Sequence, residues 1–171
     1  MRWIAQAITA FPVDGPGNYY TQLKILRADG AVTWTVVDRW ARWGLGYTIP
    51  QPFAWSSDGR YLYFTNRPVP DGCGVFVNGS DLHKISLSDG SVTQVAPPLG
   101  LWLSLSPDER TLAYRGWGDR GLVLRDLVTG TEREAKWRPE QDYAAGHILW
   151  APDGSAIVLT LAVRPCSAGR W

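Results

Sequence analysis

The chain has 171 residues, 45% of them hydrophobic and 19% charged, with a net charge of +1. That length supports one domain with a real core, and that composition excludes a disordered polar chain. The near-neutral charge gives no bias toward nucleic acid or an acidic membrane surface, and no apolar run approaches the roughly 20 residues of a membrane-spanning helix.

From the N-terminus, "WIAQAITA" at 3–10 alternates apolar and polar residues. Gln6 and Thr9 interrupt it, so it reads as a strand and not as the apolar stretch of a signal peptide. "LKILRADGAVTWTV" follows, with Asp29-Gly30 flanked by alternating residues, a strong hairpin signal. Residues 39–47, "RWARWGLGY", read as a loop. "WSSDGRYLYF" at 55–64 is a hairpin around a tight turn, and "HKISLSDGSVTQV" at 83–95 is a second one around Asp89-Gly90. The pair recurs as "LSPDERTLAY" at 105–114 and "VLRDLVTGTEREA" at 123–135. The first member returns once more as "WAPDGSAIVL" at 150–159.

Aligned on Asp58, Asp108 and Asp153, the copies are 50 and 45 residues apart. Trp55, Leu105 and Trp150 stand three residues before the aspartate. Leu62, Leu112 and Ile157 stand four residues after it, and Phe64, Tyr114 and Leu159 six after. These columns predict a repeated core of Trp55, Leu62, Phe64, Leu112, Tyr114, Trp150, Ile157 and Leu159. The Asp-Gly that follows Ser or Pro suits a type I turn whose last residue takes a positive φ. Glu109 replaces that glycine in the middle copy, and a looser turn is expected there. Two hairpins per ~45-residue period are the mark of a four-stranded propeller blade.

On these residues the sequence resembles the WD-like "PD" repeats of TolB-like β-propellers over about residues 3–163. It lacks the Trp-Asp of true WD repeats. The expected fold is therefore all-β, a partial propeller of about three four-stranded antiparallel blades within one domain, 1–171. Strands B–D occupy about 1–38, whole blades 51–98 and 99–138, and strands A–B 146–163. About 13 strands fall short of the roughly 16 of even a four-bladed ring. Completion is expected from a longer parent chain or from oligomerisation. One form would be a homodimer closing a six-bladed ring, with "GHILWAPDG" pairing onto an N-terminal blade.

In such a propeller the A–B and C–D turns share one face, and they are short here. The B–C and D–A loops share the other face, and they are long and carry Trp, Tyr and Arg, the residues binding hot spots prefer. The candidate partner- or ligand-binding residues are Trp40, Arg42, Trp43 and Tyr47, with Arg67, Trp117 and Arg120 on neighbouring loops. Each tryptophan has two readings, an exposed shelf or a plug between blades.

Catalytic chemistry has no visible constellation, so no enzyme activity and no metal or other cofactor are expected. His83 and His147 start strands and read as hydrogen-bonded structural groups. Asp58, Asp108 and Asp153 read as turn caps, and Cys73 and Cys166 as independent thiols. The resemblance implies a protein-interaction scaffold, and a periplasmic or extracellular compartment. The alternatives are a carbohydrate- or small-ligand-binding propeller, or the propeller portion of a larger hydrolase such as a prolyl-oligopeptidase-like peptidase.

Overall fold

A computed structural model of the chain describes residues 2–10, 18–42, 48–68, 78–116, 121–135 and 143–163. All regular structure among them is β. The strands are β1 (Trp3–Ala10), β2 (Asn18–Arg27), β3 (Val32–Arg42), β4 (Thr48–Trp55), β5 (Tyr61–Pro68), β6 (Leu82–Ser86), β7 (Val92–Ala96), β8 (Gly100–Leu105), β9 (Thr111–Gly116), β10 (Leu122–Asp126), β11 (Glu132–Glu134), β12 (Tyr143–Trp150) and β13 (Ile157–Val163). Consecutive strands pair antiparallel into sheets ordered β1-β2-β3, β4-β5-β6-β7, β11-β10-β9-β8 and β12-β13.

The chain divides into two compact units, Met1–Val69 with Asp81–Pro98, and Pro70–Ser80 with Leu99–Trp171. In the first, β2 offers Leu23 and Ile25 to Leu62 and Phe64 of β5 and to Ile85 and Leu87. Trp3, Ala5, Trp34, Val36 and Val37 fill the margin. Every second residue of β2 faces this core because the strand period is two. The Trp34 indole donates to the Leu87 carbonyl at 3.3 Å, and its ring lies over Gly90, where any Cβ would overlap it. Gly90 also has a φ of +74°, so backbone angle and space both demand glycine.

In the second unit, Ala113 and Leu122 receive Ile148, with Trp102, Leu124, Trp150, Ile157 and Leu159 packed around them. The Trp150 indole donates to the Ser104 carbonyl at 3.1 Å. Of the expected core columns, Leu62, Phe64, Leu112 and Tyr114 are buried, whereas Trp150, Ile157 and Leu159 are half-buried. Trp55 is 40% exposed, against expectation. It closes β4 beside the turn, where a ring of that size reaches the sheet margin.

The aspartate turns carry out the capping their sequence foretells. Asp58 accepts the Ser56 hydroxyl at 2.7 Å and the Arg60 N–H at 3.0 Å. Asp108 accepts Ser106 at 2.6 Å and the Arg110 N–H at 3.1 Å, and Asp153 accepts the Ser155 N–H at 3.0 Å. The middle turn is not looser. The Glu109 N–H reaches the Ser106 carbonyl at 2.9 Å, as Gly59 reaches Ser56. Glu109 takes a φ of +61° where Gly59 has +69° and Gly154 +74°. The side-chain cap and the strand register impose the turn, and glutamate bears a left-handed conformation that costs about 1–2 kcal/mol.

Candidate surface site on the first sheet

Trp40 and Arg42 do not lie on a loop. They belong to β3, where Tyr20 pairs with Trp40 and Asn18 with Arg42. Regular pairing with β2 continues to the end of β3 and carries these residues into the sheet. Asp38, Trp40 and Arg42 alternate onto one face, with Tyr20 and Gln22 opposite Trp40 and Asp38 on that same face. The other face of β2 is the core.

On this outer face Trp40 is 64% exposed. Its ring lies 5.4 Å from that of Tyr20, tilted at 51°. The Tyr20 hydroxyl donates to Asp38 Oδ1 at 2.8 Å, and the Gln22 amide donates to Asp38 Oδ2 at 2.9 Å and to the Tyr20 hydroxyl. The Tyr20 and Gln22 bonds hold the Asp38 carboxyl below its usual range, and the bond to Asp38 pushes the Tyr20 phenol up. Both aromatic rings therefore stand on a fixed hydrogen-bonded base. Ile4, 50% exposed, and Ile8, 38% exposed, extend the same face along β1. Tyr20, Gln22 and Asp38 were missed as site residues. Their signal was the two-residue period shared with Trp40.

Arg67 belongs to the second sheet, opposite Ile49 of β4, and is not part of the Trp40 patch. Its Nε is buried with no hydrogen-bond partner among the described residues. Trp43, Tyr47, Trp117, Arg120, Cys73 and Cys166 lie outside the described residues.

A second polar cluster sits in the first unit. Asp81 accepts the Asn66 N–H at 2.7 Å, the Asn66 side-chain amide at 2.8 Å and His83 Nε2 at 3.0 Å. The His83 ring stacks on Phe64 at 5.2 Å between centroids. Burial pushes the Asp81 carboxyl up, but the bonds from His83 and Asn66 outweigh it and leave a lowered pKa. This is the structural role expected of His83. The cluster ties β5 to the start of β6. Among the described residues no three His, Cys, Asp or Glu side chains are grouped to hold a metal ion.

No protein-family model and no curated protein matches the sequence. Solved structures do match the fold. TolB from Acinetobacter baumannii matches at a TM-score of 0.53 with 16% identity, over 95% of this chain and 36% of its own. A putative TolB from Agrobacterium tumefaciens matches at 0.53 with 13% identity, over 88% of this chain and 52% of its own. The chain thus spans between about a third and a half of the length of the proteins it resembles. At these identities the likeness shows the fold: all-β, with the four-stranded antiparallel sheets of TolB-like β-propellers. A putative 6-phosphogluconolactonase from Bacteroides fragilis matches at only 0.37, with 21% identity over 75% of this chain and 37% of its own.

Proposed function

We propose that the chain is a non-catalytic β-propeller module that binds a protein partner through the outer face of its first sheet. The observation that carries this is the 64% exposed Trp40 ring, propped on Tyr20 above the Tyr20–Gln22–Asp38 network. An exposed tryptophan normally loses side-chain freedom on binding. Here a hydrogen-bonded base already restrains it, which lowers that cost. Trp, Tyr and Arg are the residues that dominate interface energetics, and Trp40, Tyr20 and Arg42 share this face. The compartment belongs to the same proposal: a TolB-like role would place the module outside the cytoplasm.

The test is partner capture with the intact chain, its Trp40→Ala variant and its Arg42→Ala variant. Trp40→Ala is expected to lose the partner with the melting temperature unchanged. Equal loss of binding and stability would assign Trp40 to the fold alone. A carbohydrate reading rests on the same residues, since an exposed ring flanked by carboxylate and amide suits a sugar. Tryptophan quenching on a glycan panel, with no protein captured, would favour it.

A further inference from the structure

An edge strand turns the N–H and C=O of every second residue away from its sheet, and folded proteins cover such groups. β8 is an edge strand of its sheet, and a side chain covers it. The Asn78 amide nitrogen donates to the Leu103 carbonyl at 2.8 Å, and Asn78 Oδ1 accepts the Leu103 N–H at 2.9 Å. One carboxamide thus meets both outward groups of one residue, as a peptide unit of a neighbouring strand would. The Leu99 N–H bonds the Ser80 carbonyl at 2.8 Å, so residues 78–80 are laced onto 99–103. All of them belong to the second compact unit. Asparagine suits this task because its amide is donor and acceptor at once, whereas a carboxylate only accepts.

The residue after Asn78 is glycine. The other two asparagines, Asn18 and Asn66, precede Tyr19 and Arg67, whose side chains shield the following backbone nitrogen. Gly79 has no such shield, so its nitrogen can attack the Asn78 carboxamide carbon. In the closed arrangement the carboxamide plane is fixed by both Leu103 bonds, and Gly79 is buried away from the water and base that the reaction needs. Cyclisation has to wait until the pair opens.

We propose that Asn78 is a spontaneous deamidation site, guarded by its bonds to Leu103, and that its conversion uncaps β8. On opening, the Gly79 nitrogen bonds to Asn78 Cγ, and the Cγ–Nδ2 bond breaks. Ammonia leaves with the Gly79 amide proton, and a succinimide remains. Water then opens the ring at Cγ to give aspartate, or at the main-chain carbonyl to give isoaspartate. No electrons are exchanged with any partner. Aspartate places a second acceptor against the Leu103 carbonyl, in a half-buried position where an unmet group is costly. Isoaspartate lengthens the main chain by one carbon and displaces the Ser80 bond as well. A transient opening of the cap is thereby made permanent, once per molecule. This inference is independent of the Trp40 patch.

The test is peptide mapping of the intact chain aged in mildly alkaline buffer, folded and unfolded in urea. The folded chain is expected to convert Asn78 at least about tenfold more slowly than the unfolded one, because reaction waits for local opening. Urea below the unfolding transition should raise the folded rate, while Asn18 and Asn66 stay unconverted. Amide exchange then reads the cap. In the converted fraction, and in an Asn78→Asp variant, the Leu103 amide should exchange at least about tenfold faster, while Ala113 inside the sheet is unchanged. Should that variant not fold, the folded and unfolded rates of the unaltered chain still decide. Equal conversion in the two states, or no conversion of Asn78 in either, overturns the proposal. So does a converted chain whose Leu103 amide is protected as before.

Discussion

The hairpins β4–β5 and β12–β13 share one sequence pattern, an aromatic, a short turn on aspartate and an alternating second strand, yet their second strands have different surroundings. The fifth residue after the aspartate is Tyr63 in one, 5% exposed, and Val158 in the other, 61% exposed. In the middle copy it is Ala113, fully buried. The sixth residue is buried as Phe64 and half-buried as Leu159. Both turns have the same aspartate cap and nearly the same φ at glycine. The repeat therefore fixes the hairpin, while burial is supplied by whatever sheets lie against it.

That contrast can be broken by truncation. Phe64→Ala should cost about 3–5 kcal/mol in chemical denaturation, and Leu159→Ala about half of that, since less surface leaves water. Equal losses would show that the two strands are equally enclosed. Enlargement probes it from the other side. Ala113→Leu should cost about 1–3 kcal/mol by overpacking, whereas Val158→Leu should change stability by less than about 0.5 kcal/mol.

The turns offer a finer comparison. Replacing Glu109 with glycine relieves the left-handed conformation and should raise stability by about 1 kcal/mol, while Gly59→Ala should lower it by a similar amount. A neutral Glu109→Gly would mean that glutamate contacts offset the backbone cost. The smallest effect concerns pH. The Arg60 N–H, the Ser56 hydroxyl and the Arg60 side chain hold Asp58 down to about 2, below the ordinary carboxylate value of roughly 3.9. Its contribution is therefore present above about pH 4 and is lost as pH falls through 4 toward 2. Asp58→Asn should flatten that part of the acid-denaturation curve, and Asp153→Asn should do the same where Asp153 is lowered by Ser155.

Local chemistry explains what could be read in the sequence. The aspartate caps involve residues within five positions of one another, and strand alternation is visible wherever one face is buried. That is why Leu62, Phe64, Leu112 and Tyr114 were legible as core. The extent of β3 was not. Its pairing with β2 runs through register shifts near Lys24 and Leu26 before reaching Trp40 and Arg42, and only the partner strand reveals that these residues lie in a sheet. The hydrogen-bonded base beneath Trp40 joins residues 16 to 18 positions apart. Such a contact depends on hairpin register and leaves no local mark. Trp55 was misplaced because a column of aromatics says nothing about distance from the sheet margin.

Gly90 bears on how such a chain can drift under mutation. At Gly30 and Gly59 a Cβ would meet nothing within 4 Å, so only the backbone angle restricts them, and asparagine, which tolerates that angle, is an admissible substitute. At Gly90 the Trp34 ring closes that route. Its replacement has to wait for a smaller residue at position 34, so the two sites are free to change only together and in one order. Turns of the same sequence pattern thus differ in the substitutions they can accept, a difference set by a ring from the neighbouring sheet and not by the turn itself.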